Sequence, residues 1–149
     1  MNDTFNQDII LGEEIEYEVL SMVQKKYPMA YKVKGEFKPY DIYVPENNIK
    51  IEVKRDIGSN KSNNYFIEYK CNNKNSGLSS TNANFWVIFD ENKYIWIDTL
   101  RLQEVAKTFG VKWSGVPDGG CSVVKAFLVP KDIILSYSEK ITKPHESLN

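Results

Sequence analysis

The sequence predicts an α/β or α+β domain built on a mixed central β-sheet. Three observations predict it. An amphipathic segment of helical period opens the chain, short alternating strands separated by Asn-, Pro- and Gly-bearing turns follow, and a second, capped helix precedes a last strand. A length of 149 residues is one ordinary domain, so residues 1–149 are expected to share a single core. No internal repeat is present.

The first helix is expected from about Ile9 to Tyr27, because Ile15, Val19, Leu20, Met22 and Val23 recur at helical spacing and Pro28 stops the run. Glu13, Glu14, Glu16 and Glu18 fall in its first half, where negative charge suits the helix dipole. Glu16 stands one turn from Gly12, Val19 and Leu20 and so borders the apolar face. Tyr31 to Val33 reads as a short strand. Tyr40–Val44 and Ile49–Lys54, joined by Pro45-Glu46-Asn47-Asn48, read as a β-hairpin. A third strand is expected at Tyr65–Lys70, between the polar loops Asp56–Asn64 and Asn72–Asn84. Phe85–Phe89 and Tyr94–Ile97 flank a turn at Asp90-Glu91-Asn92-Lys93. Asp98 or Thr99 then caps a helix carrying Leu100, Leu102, Val105, Ala106 and Phe109, which Gly110 ends. A glycine-rich loop around Gly115, Gly119 and Gly120 leads to a last strand, Ser122–Val129, and a loose polar tail is expected from about residue 138. Gly119-Gly120 is no phosphate loop, since no Gly-Lys-Ser/Thr follows.

Composition narrows the function. Hydrophobic residues make up 42% and charged residues 26%, and 19 Lys+Arg against 20 Asp+Glu leave a net charge of -1. That balance excludes broad electrostatic wrapping of a polyanion, so any nucleic-acid role must rest on a local site. Only Arg55 and Arg101 are arginines, which removes an array of bidentate phosphate forks. No apolar run has the length of a membrane span and the first residues lack the regions of a signal peptide, so no membrane role and a cytoplasmic location are expected. Cys71 and Cys121 are far apart, with no C-x-x-C spacing and only the distant His145, so reduced, incidental thiols are expected. Any metal would then have oxygen ligands, which favours magnesium, manganese or calcium.

In the hairpin, alternation sets Ile42, Val44, Ile49, Ile51 and Val53 on one face and Asp41, Tyr43, Lys50, Glu52 and Lys54 on the other. A four-residue loop pairing Val44 with Ile49 brings Tyr43 opposite Lys50, Ile42 opposite Ile51 and Asp41 opposite Glu52. The two carboxylates would then have Cβ atoms roughly 5 Å apart. Like charges so placed call for a counter-cation or a shared proton. A divalent ion could serve there, and the Lys54 ammonium beside it could orient a water or stabilise charge developing on phosphorus. Acid-x-Lys also occurs at Glu36-Phe37-Lys38, Glu68-Tyr69-Lys70 and Glu91-Asn92-Lys93, so the triplet alone carries nothing. The copy at Glu52-Val53-Lys54 differs in its apolar strand, its facing Asp41 and its upstream glutamate helix. A solvated face neutralised by Lys50 and Lys54 is the plainer alternative.

Gly12 and Glu16 on the first helix, then Pro39-Tyr40-Asp41 and Glu52-Val53-Lys54, resemble the core of the PD-(D/E)XK nuclease superfamily, which includes restriction endonucleases, Holliday-junction resolvases and phage recombination nucleases. Tyr40 departs from the pattern by separating Pro39 from Asp41. The resemblance covers roughly residues 10–100 and implies a restriction-endonuclease-like fold, a mixed central sheet flanked by helices. It implies a metal-dependent deoxyribonuclease using Mg²⁺, with Mn²⁺ substituting, in which Asp41, Glu52 and the Val53 carbonyl are metal ligands and Lys54 is the catalytic lysine. Glu16 matches the helix glutamate that resolvases add, with Glu13 as its alternative if the helix phase differs. DNA as partner, a homodimer, and a phage-encoded protein acting in host cytoplasm follow by analogy. A non-catalytic nucleic-acid-binding or interaction protein on the same fold is the rival reading.

Glu68, Lys70 and Phe66 are expected on one face of the third strand, with Lys70 as a contact for the nucleic-acid backbone. Ser76–Ala83 resembles the small-residue loop of some phage members, whose hydroxyls could hold a phosphate. Phe85, Trp86, Phe89, Tyr94 and Trp96 read as core, Trp113 as a loop aromatic that could touch substrate or a second subunit, and His145 as a solvated tail residue.

Overall fold

A computed structural model describes residues 3–36, 38–56, 58–116, 121–144 and 148. In chain order the elements are α1 (Asp3–Gln24), β1 (Tyr31–Lys32), β2 (Ile42–Val44), β3 (Ile49–Arg55), α2 (Ser59–Ser62), β4 (Asn64–Cys71), β5 (Lys74–Asn75), β6 (Phe85–Asp90), β7 (Lys93–Asp98), α3 (Thr99–Phe109), β8 (Val111–Gly115), β9 (Val124–Pro130), α4 (Lys131–Tyr137) and β10 (Lys140–Thr142). A six-stranded sheet has the order β1-β2-β3-β6-β7-β10, and a four-stranded sheet has the order β5-β4-β9-β8. The larger sheet is mixed: β3 and β6 run parallel and its other pairs are antiparallel.

The larger sheet is buried on both faces. Ile15, Val19, Met22 and Val23 of α1 pack against Ile42, Val44, Ile51, Val53, Val87 and Trp96. Trp86, Ile88, Ile95 and Ile97 point the other way, onto Tyr65, Ile67 and Val129 of the smaller sheet and Leu102, Val105 and Ala106 of α3. Complete burial of Val19, Ile42, Val44 and Val87 stabilises the fold by ~1.5–3 kcal/mol per side chain. α1 begins at Asp3 rather than Ile9, because polar residues ahead of the apolar stripe continue the helix without adding to its period. Its last turn tightens, with the Lys26 and Tyr27 N–H groups both donating to the Val23 carbonyl at 3.1 and 2.8 Å, before Pro28 bars further helix.

The hairpin register is the expected one: Val44 with Ile49, Tyr43 with Lys50 and Ile42 with Ile51. The third strand departs from expectation. β4 leaves the central sheet and pairs with β9 along its whole length, because β2 and β6 already occupy both edges of β3. β8 stands where a loop was expected. It is an edge strand exposed over most of its length, so no burial alternation marks it in the sequence. Trp113 is therefore a strand residue, packed edge-to-face on Phe66 at 5.2 Å. Gly119, Gly120 and His145 lie outside the described residues.

The tail is not loose throughout: Lys140–Thr142 adds the edge strand β10 to β7, and the Thr142 hydroxyl accepts the Trp96 indole N–H at 2.9 Å. Asp98 caps α3 by accepting the Arg101 N–H at 3.1 Å. Gly110 ends that helix for want of room, since a Cβ there would lie 2.4 Å from the Ala106 carbonyl oxygen.

The cysteines correct the sequence reading. Cys71 and Cys121 form a disulfide with Cα atoms 5.6 Å apart. Pairing of Cys71 with Val124 brings the segment before β9 alongside, and the Asn72 side chain accepts the Ser122 and Val123 N–H groups at 2.9 and 3.0 Å. Sequence spacing carries no trace of that strand pairing. No helix among the described residues is long and apolar enough to cross a membrane.

Candidate functional site

The site forms where the hairpin ladder runs out. Asp41 follows a loop and precedes β2, its N–H donating to the Ile51 carbonyl at 3.0 Å. Its carboxylate then stands in for the next backbone acceptor: Oδ2 takes the Val53 N–H at 2.7 Å. Because a strand residue's N–H and C=O leave the same side, the Val53 carbonyl also turns toward Asp41, past the last paired residue of β2. Asp41 is 5% exposed, so this peptide-like role is performed away from solvent.

Glu52 lies on the opposite sheet face from Ile51 and Val53, level with Trp86 of β6. The Asp41 carboxylate lies close enough to favour the protonated form of Glu52. Burial raises the Glu52 pKa most. The Lys54 charge opposes it, the Asp41 charge and hydrogen bond add to it, and Lys38 opposes weakly, leaving Glu52 pushed up to about 8. Strand pairing ends at Ile42 with Ile51, so Asp41 approaches Glu52 from just beyond the ladder.

Lys54 is half exposed, its Nζ 3.8 Å from Glu52 and 5.7 Å from the centre of the Trp86 ring. Glu16 reaches the cluster from α1, and Glu13 is exposed on the same helix, so the helix phase selects Glu16. A residue that sequence reasoning missed links the two parts. Lys38 places Nζ 2.9 Å from Glu16 Oε1 and 3.0 Å from Asp41 Oδ1. Burial works to lower the Lys38 pKa, but hydrogen bonds to Glu16 and Asp41, with their charges, outweigh it and leave the ammonium above its ordinary value. Lys32 adds a longer contact to Glu16 at 3.6 Å while lying over the Tyr17 ring. The signal that could have found Lys38 is its place just before Pro39 and Asp41, yet as one of the Acid-x-Lys copies it did not stand out.

A cleft of about 160 Å³ opens beside Lys54, walled by Arg55, Asp56, Phe66, Glu68, Gly77 and Trp86. Glu68 accepts the Ser76 hydroxyl at 2.7 Å, and Thr81 accepts both the Trp86 indole N–H and the Ala83 N–H. The hydroxyls of Ser76, Ser79 and Thr81 are thus used in holding their own loop and its neighbours. Lys70 does not join Glu68. A β-bulge between Glu68 and Lys70 pairs Lys70 with Lys125 and Cys71 with Val124, which reverses the alternation and turns Lys70 to the opposite face. Among the cleft's lining residues Lys70 is absent.

Among the described residues no group of three or more His, Cys, Asp or Glu side chains is gathered as a ready metal cage. The oxygen donors that are together are Asp41, Glu52 and the Val53 carbonyl, with Glu16 held off by Lys38. The donor set fits a hard divalent cation, which would replace the proton held on Glu52 and relieve the buried carboxyl pair. No family model, curated protein or solved structure matches the chain.

Proposed function

We propose that the chain is a metal-dependent deoxyribonuclease with a restriction-endonuclease-like core, hydrolysing DNA phosphodiester bonds with water. The observation that carries this reading is the buried Asp41 gripped by the Val53 N–H, with the largely buried Glu52 and the half-exposed Lys54 on the same hairpin. Asp41, Glu52 and Val53 would hold Mg²⁺, or Mn²⁺ in its place. The bound ion would supply Lewis-acid polarisation of a phosphoryl oxygen and a lowered pKa for a coordinated water. Asp41 stays oriented because the Val53 N–H grips one of its oxygens. Lys54 is free enough to donate to a phosphoryl oxygen as negative charge grows there. Glu16 acts through Lys38, fixing the loop that delivers Asp41. Cleavage of both strands with one site per chain would need two copies, so a homodimer belongs to this reading.

A second reading, a non-catalytic nucleic-acid-binding or interaction protein, is favoured by the lysine already seated among the carboxylates. One experiment separates them: Mg²⁺ and Mn²⁺ titrations with labelled duplex, single-stranded, flapped and four-way-junction DNA, and RNA as a parallel substrate. The nuclease reading expects cleavage that EDTA abolishes and that Glu52→Gln and Lys54→Met lower by at least ~100-fold. Full cleavage by those two variants overturns the site, and no cleavage of any substrate by the wild type supports the second reading.

A further inference from the structure

In the proposed chemistry Lys38 only ties Glu16 to the loop that carries Asp41, and it takes no part in the metal site itself. Its ammonium sits between carboxylates from different parts of the chain, α1 and the start of the hairpin, at 2.9 and 3.0 Å, and is 22% exposed. Around it stand Glu16, Asp41 and Glu52 on the acidic side and Lys32 and Lys54 on the basic side. Both Asp41 oxygens are engaged, Oδ2 by the Val53 N–H and Oδ1 by Lys38. The first contact is part of the sheet. The second is made by a flexible side chain, so an incoming cation can reach Asp41 Oδ1 most readily by displacing Lys38.

We propose that Lys38 is a tethered stand-in for the divalent cation, its ammonium holding Glu16 and Asp41 in the metal-free protein and giving up Asp41 when the metal binds. The inference rests on the metal site of the proposed function. The chemistry is an exchange of cations: no bond to carbon changes, the ammonium keeps its protons, and the proton held on Glu52 passes to solvent as the metal takes its place. An ammonium is a compact point charge with three donors on a four-carbon stem, suited to such an exchange, whereas a divalent oxygen-seeking ion brings twice the charge to the same oxygens. A lysine that competes for the site lowers metal affinity while keeping the ligands oriented for it. Metal-free protein is thereby spared the repulsion between Glu16 and Asp41.

Calorimetric titration of Mn²⁺ into the full chain, wild type against Lys38→Met and Lys38→Arg, tests this without reference to cleavage. Lys38→Met should bind Mn²⁺ at least ~10-fold more tightly than the wild type and melt lower in EDTA, because the competitor and the stabilising charge leave together. Lys38→Arg keeps the charge and should bind no more tightly than the wild type. If Lys38→Met is unfolded in EDTA, recovery of its circular dichroism on adding Mn²⁺ supports the proposal, and failure to recover overturns it. Equal or weaker binding by folded Lys38→Met, with the wild type binding Mn²⁺, overturns the stand-in role alone. Absence of Mn²⁺ binding by every variant overturns both this role and the metal site.

Discussion

Replacing Glu52 by glutamine should make the protein more stable, and increasingly so as pH rises. The ordinary glutamate value is 4.5, and in the fold Glu52 is pushed up to about 8, by burial first and Asp41 next. Between those values the folded state holds a proton that the unfolded chain has released, so wild-type stability is greatest below about 4.5 and falls as pH climbs toward 8. Each pH unit in that window is worth at most about 1.4 kcal/mol, and from pH 5.5 to 8 the limit is roughly 3 kcal/mol. Partial solvent access and the coupling of Glu52 to its neighbours reduce the working figure to about 2 kcal/mol. Glutamine keeps the shape and the hydrogen bond without the charge, so that loss disappears. For a domain of this size 2 kcal/mol is roughly 4–8 °C in Tm. Melting followed by calorimetry in EDTA, for both proteins at pH 5.5 and pH 8, measures it. Wild type and Glu52→Gln that lose stability in parallel between the two pH values would refute a buried, protonated Glu52.

Two further predictions concern the scaffold. The Cys71–Cys121 disulfide closes a loop with a sequence separation of 50, and Cys71→Ser with Cys121→Ser should cost about 4 kcal/mol by loop-closure entropy; urea unfolding with and without reductant checks it, and reductant should leave the double variant unchanged. Gly77 has φ +48 and a Cβ there would meet the Glu68 carbonyl oxygen at 2.3 Å, so Gly77→Ala should lower stability by ~1–3 kcal/mol in thermal melts and disturb the cleft beside Lys54.

The hairpin was legible because its two strands are consecutive and its loop has a defined length. Local alternation set the faces and loop length set the register, which placed Glu52 and Lys54 on β3, while Asp41 lies just outside the ladder. Glu16 was legible from the helical period alone. Lys38 was not, since its closeness to Asp41 in sequence carries no meaning until the fold brings Glu16, 22 residues away on α1, to its other side. The same limit hid the second sheet and the disulfide, both of which depend on β4 meeting β9 across more than fifty residues of chain. The misplacement of Lys70 has a more local cause. One extra residue in β4 inverts the alternation, and the bulge that holds it is written in the pairing with β9, not in the residues of β4.

The bond from the Val53 N–H to the Asp41 carboxylate has a consequence for evolution of this surface. A side chain that completes a sheet cannot drift as an ordinary surface residue can: loss of Asp41 leaves a buried amide unanswered. Asparagine alone among close substitutes could still answer that amide while giving up the charge. Related chains would therefore be expected to retain Asp41, or Asn in its place, even where the half-exposed Lys54 had changed.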